Sequence, residues 1–265
     1  NYIGPIDGHN IPLLVKTLKR MLEKNEPYIL HVITKKGAGF EPAENERIKY
    51  HAISKIEKNP KKAKPKFQDI FGDWLCYKAK IDPNLVGITP AMKEGSGMVE
   101  FEQKLPDRFY DVAIAEQHSV TFGSGLFLGG LKPVVAIYSS FLQRAYDQFI
   151  HDVCLENLDV TFALDRAGVV GEDGPTHSGN FDLAFMRCVP NIIISTPSDE
   201  NELWKLLNTS YHYKGPAAIR YPRGSGVGAK VSGKSDLLDV GKANKILDGS
   251  KTCLLYTSDA ADEWI

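Results

Sequence analysis

The sequence predicts an α/β protein built on a parallel sheet that is covered by helices on both faces. Short apolar runs alternate with longer helical segments between residues 67 and 220, and the runs are apolar throughout instead of at every second position. Strands of this kind are buried on both faces, as in a parallel sheet. Polar and glycine-rich loops directly follow several of the runs, where ligands of parallel sheets bind.

The first segment reads as the tail of an α/β unit. Asn10 is a suitable helix N-cap, Pro12 fits the first turn, and apolar residues recur with helical spacing as far as Leu22. Residues 28–34 then predict a buried strand, and residues 35–40 a loop. Residues 55–66, which are rich in lysine and poor in apolar side chains, predict a solvated linker.

The remaining elements are predicted from apolar periodicity and turn residues. In chain order they are helix 67–80, strand 85–88, strand 111–114, helix 117–128, strand 133–138, a helix through residue 157, strand 160–164, a loop through residue 179, helix 181–188, strand 192–195, helix 199–211 and strand 217–220.

Charge and composition argue against several classes of partner. Lys and Arg total 32 and Asp and Glu total 33, so nothing favours nucleic acid or an anionic membrane surface. No apolar run reaches the ~18 residues of a membrane span. The four cysteines are widely spaced and form no Cys-x-x-Cys pair, so we expect reduced thiols and no metal ligands in this chain.

Both ends of the chain look unlike the ends of a domain. The chain opens at Asn1 without an initiator methionine, in what reads as the middle of a structure. Residues 254–265 resemble translated sequencing-library adapter and are excluded from fold prediction. We therefore expect the chain to be an internal piece of a longer protein.

Two polar motifs follow predicted strands. Glu116 lies where a strand meets an apolar helix, and a carboxylate there is costly unless it is hydrogen-bonded or has a use. The alternative is a helix N-terminal glutamate stabilised by the helix dipole. Phe141 could stack on a planar ring, and Arg144 could meet a carboxylate or phosphate. The alternative for these two is an ordinary capped helix with a core phenylalanine.

Two later segments also carry candidate site residues. The loop 165–179 is rich in glycine and ionisable groups, and His177 within it can give and take protons near neutral pH. An anion-binding loop without catalysis is the alternative. Arg220 and Arg223 flank a rigid turn and could form a phosphate fork or be surface charges. His51 alone, before the linker, is more typical of a structural histidine.

Together these motifs resemble the 1-deoxy-D-xylulose-5-phosphate synthases, a family of transketolase-like thiamine-diphosphate enzymes. The resemblance extends over about residues 1–253. Besides the motifs above, it rests on the blocks YIGPIDGH at 2–9, KGAGFEPAE at 36–44, FGDW at 71–74, TPAMKEGSGM at 89–98 and TPSDENE at 196–202.

The family architecture implies a division of this chain. The family has three α/β domains and holds thiamine diphosphate between the first two. Residues 1–54 would be the end of the diphosphate-side domain, 55–66 a linker, 67–228 the pyrimidine-side domain and 229–253 the start of the C-terminal domain. The family's Gly-Asp-Gly motif and Asn partner, which bind Mg²⁺, would lie upstream of this sequence.

The resemblance also implies a reaction and a set of cofactor residues. Pyruvate and glyceraldehyde 3-phosphate would condense with loss of carbon dioxide to 1-deoxy-D-xylulose 5-phosphate, a precursor of isoprenoids, thiamine and pyridoxal. Glu116 would hydrogen-bond the aminopyrimidine ring, Phe141 would pack on it, and Lys36 would reach the diphosphate. Phe40 stands where the family usually has Tyr, which removes a hydroxyl but leaves the ring contact. His51 and His177 would transfer protons.

The acceptor site and the partners follow from the same resemblance. The residues that would bind substrate are Tyr138, Arg144, Arg166, Asp173 and Arg223. The complete protein would be a homodimer in a bacterial cytoplasm, or in a plastid if the source is photosynthetic, and the chain alone would be inactive. Alternatives are a transketolase, a dehydrogenase subunit of the same superfamily, or an inactive scaffold paralogue. The loop 165–179 and the turn 220–224 favour the synthase, and intact catalytic residues argue against the scaffold.

Overall fold

A computed structural model describes residues 1–47, 50, 64–242 and 248–250. The chain divides into two compact units, Asn1–Lys62 and Ala63–Ile265, and each unit is described by itself. Most of the predicted linker and the adapter-like residues 254–265 lie outside the described residues.

Within its described residues, the first unit contains two parallel strands and two helices. They are β1 (Tyr2–Asp7), α1 (Ile11–Leu22), β2 (Ile29–Ile33) and α2 (Glu41–Asn45). The Asn10 side chain caps α1 by accepting a hydrogen bond from the amide of Leu13 at 3.1 Å, as its residue type predicts. Strand β1 was not predicted from the sequence, because Gly4 and Pro5 interrupt its apolar pattern.

The prediction of a buried strand at 28–34 was wrong about burial. Strand β2 forms, but Ile29 is 69% exposed and Ile33 is 54% exposed within the described chain. So few helices pack on this two-stranded sheet that they cannot cover both of its faces.

The second unit is organised around a six-stranded parallel sheet with the order β4-β3-β5-β6-β8-β7. Its strands are β3 (Leu85–Thr89), β4 (Phe109–Asp111), β5 (Lys132–Tyr138), β6 (Thr161–Asp165), β7 (Ile193–Ser195) and β8 (Ala217–Arg220). Its helices are α3 (Phe67–Ile81), α4 (Val99–Lys104), α5 (Glu116–Leu128), α6 (Ser139–Leu142), α7 (Tyr146–Gln148), α8 (Asp182–Met186) and α9 (Glu200–His212).

Both faces of this sheet are buried, which confirms the predicted fold class. Along β5, Val134 and Ala136 join a core cluster with residues of α3, α4 and α9. The intervening residues Val135 and Ile137 join a second cluster with residues of α5 and the 149–154 turn. Successive side chains of a strand point to opposite faces, so a strand covered on both sides must be apolar throughout.

Two predicted boundaries were wrong. The strand predicted at 111–114 ends at Asp111, whose Oδ1 accepts hydrogen bonds from the amides of Ala91 and Ala113, each at 2.9 Å. Ala113 then has φ +58°, which turns the chain out of the sheet and leaves Ile114 exposed. The single helix predicted through residue 157 is instead broken into α6, a 3₁₀ turn at 143–145, α7 and a π-helical stretch at 149–154.

The segment after β8 has no helix or strand among its described residues. It instead contacts α9: the Trp204 indole and the Asn208 side-chain amide both donate to the carbonyl of Lys234, at 3.0 and 2.8 Å. The Lys234 ammonium lies 5.2 Å from the Trp204 ring centre. These contacts hold the segment against α9.

Candidate active site

The polar loops that follow the central strands meet at one edge of the sheet. Tyr138 at the end of β5 is in register with Asp165 at the end of β6, and Leu164 is in register with Arg220 of β8. Because these strands are parallel, the residues that follow them lie at the same, carboxyl edge.

Glu116 begins α5 and is only 2% exposed. Its Oε1 atom forms an ion pair with the guanidinium of Arg144, whose side chain is about half exposed. The guanidinium carbon of Arg144 also lies 5.1 Å from the centre of the Phe141 ring. Arg144 therefore connects a buried carboxylate to an aromatic ring.

Phe141 belongs to a group of three rings. It stacks on Tyr138 with ring centres 5.2 Å apart and planes inclined by 19°, and it meets the His177 imidazole edge-on at 5.2 Å. The Nδ1 atom of His177 lies 3.0 Å from the Thr176 hydroxyl oxygen. The structure thus brings together Glu116, Phe141 and His177, which the sequence nominated from three separate segments.

Arg166 is the most constrained of the nominated residues. Its side chain is 10% exposed, and its Nη1 atom donates to Asp165 Oδ2 at 2.6 Å and to the carbonyl of Gly95 at 2.8 Å. Its guanidinium lies 4.3 Å from the centre of the Tyr138 ring. The backbone has φ +60°, so the residue is turned back onto the sheet edge.

Burial alters the titration of two groups in this cluster. It raises the pKa of the Asp165 carboxyl to about 6, although the charge and hydrogen bonds of Arg166 oppose the rise. Burial likewise raises the pKa of Tyr138, which therefore stays a neutral phenol. Burial is the dominant cause in both cases.

Asp173 and Arg223 complete the cluster. The Nε atom of Arg223 lies 3.0 Å from Asp173 Oδ2, and Nε of Arg166 lies 3.6 Å from the same oxygen. Arg223 also donates through Nη2 to Glu172 at 3.2 Å. Glu172 is 77% exposed, so a bound dianion would compete only with a solvated carboxylate for the Arg223 guanidinium.

The other nominated residues lie elsewhere. Arg220 does not form a fork with Arg223, because its guanidinium is buried against the carboxylate of Asp182, at 3.0 Å. Arg144 contacts Glu116 and Phe141, outside the cluster around Arg166. Lys36 and Phe40 belong to the first unit, where Phe40 packs edge-on against Tyr50 at 5.6 Å. His51 lies outside the described residues.

Sequence reasoning did not nominate three residues that shape the cluster, nor the partner of Arg220. Asp165 adjoins Arg166 in the same loop motif, so its position alone could have flagged it. Gly95 lies in the block at 89–98, and a Cβ atom there would overlap the Tyr138 hydroxyl oxygen. Gln68 reaches Arg166 from α3 at 3.1 Å, and Asp182 fixes Arg220; no local pattern marks either one.

The edge combines two kinds of recognition. A buried carboxylate beside an aromatic ring suits a flat heterocycle that carries N–H donors. Guanidinium groups suit phosphate, and Asp173 can accept a hydrogen bond from a hydroxyl.

Among the described residues, no group of three or more His, Cys, Asp or Glu side chains could hold a metal ion. In the same part of the chain, no helix has the length and apolarity to cross a membrane.

The sequence is similar to characterised protein families over most of its length. The family described as transketolase, pyrimidine binding domain, matches residues 63–227. The family described as 1-deoxy-D-xylulose-5-phosphate synthase matches residues 1–34.

Individual relatives agree with these matches. The chain is 60% identical over 262 residues to a 1-deoxy-D-xylulose-5-phosphate synthase of Hahella chejuensis, and 59% identical over 261 residues to one of Stutzerimonas stutzeri. Each alignment covers 96% of this chain and 41% of the relative. The chain thus spans about two fifths of the length of these relatives, and the predicted resemblance is confirmed.

Solved structures agree on the fold. A split-gene transketolase, described as an inactive beta4 tetramer, matches with a TM-score of 0.58 and 25% identity over 67% of this chain and 57% of its own. A transketolase of Pichia stipitis in complex with sedoheptulose 7-phosphate matches with a TM-score of 0.53 and 19% identity, over 61% of this chain and 26% of its own. The chain belongs to the transketolase pyrimidine-binding domain family.

Proposed function

We propose that the whole protein is a thiamine-diphosphate-dependent 1-deoxy-D-xylulose-5-phosphate synthase that joins pyruvate to glyceraldehyde 3-phosphate with loss of carbon dioxide. The observation that carries this proposal is the pairing of two subsites at one sheet edge. Glu116 and Phe141 form one, and Tyr138, Arg166, Asp173 and Arg223 form the other. Relatives of that name at 58–60% identity support it.

The residues around Glu116 fit the aminopyrimidine part of thiamine diphosphate. The buried carboxylate of Glu116 can accept a hydrogen bond from a ring N–H, and Phe141 offers an apolar ring beside it. Lys36 would bind the diphosphate and Phe40 would contact a ring. When bound, the cofactor supplies a thiazolium carbon that stabilises carbanion-like charge. Glu116 would hold a proton at the ring nitrogen, and Arg144, which pairs with the Glu116 carboxylate, would orient it.

The second subsite fits a phosphorylated hydroxyaldehyde. Arg166 and Arg223 would bind the phosphate, while Asp173 between them would accept from a substrate hydroxyl. Within the described residues, Arg223 uses Nε and Nη2 for its carboxylate partners, which leaves Nη1 for a ligand. His177 would exchange protons with the reacting oxygen atoms. His51, which is not among the described residues, would have the same role.

Other parts of the proposal rest on the family relationship. The whole protein would bind Mg²⁺ with the diphosphate, form a homodimer, and divide at residues 54, 66 and 228, as the family architecture implies. The bacterial relatives support a bacterial cytoplasm. A transketolase is the second candidate function, because both solved neighbours carry that name. Transketolases would accept a ketose donor in place of pyruvate.

The test uses the complete protein with thiamine diphosphate, Mg²⁺, pyruvate and either glyceraldehyde 3-phosphate or unphosphorylated glyceraldehyde. The wild type should form the deoxyxylulose product, and Glu116→Ala should abolish the reaction with both acceptors. Arg223→Ala should lower kcat/KM for the phosphorylated acceptor by roughly 10- to 150-fold, as expected for a lost charged hydrogen bond of about 1.5–3 kcal/mol. The KM of pyruvate should change little.

The two acceptors control for each other within one enzyme. An equal loss for both after Arg223→Ala would refute the phosphate assignment. A wild-type enzyme that uses a ketose donor but not pyruvate would favour the transketolase instead.

A further inference from the structure

The loop that carries Arg223 is held by contacts outside the substrate cluster. It follows β8 and has no regular structure through residue 229. On one side, the amide of Phe67 donates to the carbonyl of Gly224 at 2.9 Å, and the Ser225 hydroxyl donates to the carbonyl of Lys64 at 2.9 Å. The backbone next to Arg223 is therefore tied to the start of α3.

The other side of the loop surrounds a buried carboxylate. Glu200, the first residue of α9, is 0% exposed. Its Oε1 accepts the amide of Gly228 and its Oε2 accepts the amide of Ala229, each at 2.9 Å. A Cβ atom placed on Gly226 would lie 2.9–3.0 Å from the Glu200 carboxylate atoms, so the loop backbone approaches it closely.

Backbone groups keep this carboxylate charged without a cationic side chain. Burial by itself would raise the pKa of Glu200, but backbone N–H donors, its own amide first and then those of the loop, outweigh burial and lower the pKa. No Lys, Arg or His side chain forms an ion pair with Glu200 in the described part of the chain. The position at the N-terminus of α9 also favours negative charge. A carboxylate buried in this way fixes the amides that it accepts.

We infer that Glu200 is a positioning residue for Arg223, acting through the loop 221–229 to hold the guanidinium where the acceptor's phosphate would bind. This inference rests on the proposed function. It assigns to Glu200 no contact with substrate or cofactor. Its reach is limited to the phosphate subsite, because the loop carries Arg223 but neither Glu116 nor Phe141.

Two variants weaken the contact between Glu200 and the loop in the complete enzyme, one at each partner. Glu200→Gln keeps the shape but turns an amide NH₂ toward backbone donors, so one acceptor is lost. Gly226→Ala leaves Glu200 intact and pushes the backbone away from its carboxylate. Glu200→Asp keeps the negative charge, so it should retain more of the kcat/KM for the phosphorylated acceptor than Glu200→Gln does. Glu202→Gln is the matched control, because Glu202 lies in the same helix turn but accepts from Ser198 instead of the loop.

The expected result is a selective loss. Both loop-releasing variants should lower kcat/KM for glyceraldehyde 3-phosphate by about 10-fold, the lower end for a weakened charged hydrogen bond. Values for unphosphorylated glyceraldehyde and the KM of pyruvate should stay within about twofold. Hydrogen exchange at the amides of Gly228 and Ala229 should accelerate. Glu202→Gln should change none of these quantities.

The outcomes separate this inference from the proposed function. A wild-type enzyme that forms product, with variants that lose both acceptors equally or lose neither, overturns the positioning role alone. Faster amide exchange with unchanged acceptor kinetics does so as well, since Glu200 would then be purely structural. A wild-type enzyme that forms no product refutes the proposed function and this inference with it.

Discussion

Arg166→Ala should destabilise the second unit far more than Arg223→Ala, although both arginines belong to the same cluster. Arg166 is 10% exposed and pairs with Asp165, whose side chain is 1% exposed. Removal of one partner of a buried pair leaves an uncompensated charge and costs about 3–5 kcal/mol. Arg223 is 34% exposed, and its partners Glu172 and Asp173 are 77% and 24% exposed, so solvent screens both ion pairs and its removal should cost about 0–1 kcal/mol.

The cost of Arg166→Ala should also depend on pH. Burial already raises the pKa of Asp165 to about 6, and loss of Arg166 removes the main opposing influence, so the pKa rises further. A folded-state pKa above the unfolded value means that the folded state holds the extra proton. The stabilisation that comes from this extra proton is complete below the unfolded-state pKa of Asp165, and it is lost as pH rises through the folded-state pKa. The gap between variant and wild type should therefore widen from pH 5 to pH 8.

Urea unfolding of the 265-residue chain at pH 5 and pH 8 measures both effects. The fluorescence of the buried residues Trp74 and Trp204 reports on the second unit. The double variant Asp165→Asn with Arg166→Ala should recover most of the loss at pH 8, because position 165 then carries no carboxylate left without its buried partner. A cost below about 1 kcal/mol at pH 8, or one that does not change with pH, would refute the buried-pair reasoning.

Two further predictions concern other contacts of the second unit. Gly95→Ala should lower the free energy of unfolding by about 1–3 kcal/mol, because the added methyl overpacks against the Tyr138 hydroxyl. The added change Tyr138→Phe should recover part of this loss. Additive losses of the two changes in urea unfolding would contradict the contact. His212 accepts a hydrogen bond from the Lys78 ammonium at 2.8 Å, and burial, together with the charge of Lys78, lowers the pKa of His212. The stability that depends on neutral His212 is present above the unfolded pKa of about 6.5 and is lost as pH falls through the lower folded pKa. His212→Gln should remove that part of the pH dependence of unfolding, and an unchanged profile between pH 4 and 7 would contradict it.

Much of the fold could be predicted because its signals are local. The apolar runs of β5 and β6 show by themselves that both faces are buried, and Asn10 and Asp199 mark helix starts through bonds to residues three positions ahead. Prediction failed where the decisive contact is distant. Strand β4 ends early because Asp111 binds the amide of Ala91, which lies 20 residues before it.

The candidate site divides in the same way. Residue type and position after a strand made His177 and Arg223 candidates, because the chemistry of a side chain and the edge of a parallel sheet follow from sequence. For Glu116 and Arg166, the roles came from the resemblance to the family. Which partner each nominated residue takes was not determined locally. Arg144 reaches Glu116 across 28 residues, and Arg223 reaches Glu172 across 51.

The sequence by itself determined the parallel α/β architecture, the family and the list of candidate groups. Only the tertiary structure decided that Arg220 is a buried partner of Asp182 while Arg223 faces the cluster, and that Glu200 binds the loop behind it. The physical reason is that charge and hydrogen-bonding capacity belong to a residue, whereas burial and partner belong to the packing of distant segments. The sequence does not distinguish a buried carboxylate from an exposed one, because the residues that bury it come from distant segments that only the folded sheet brings together.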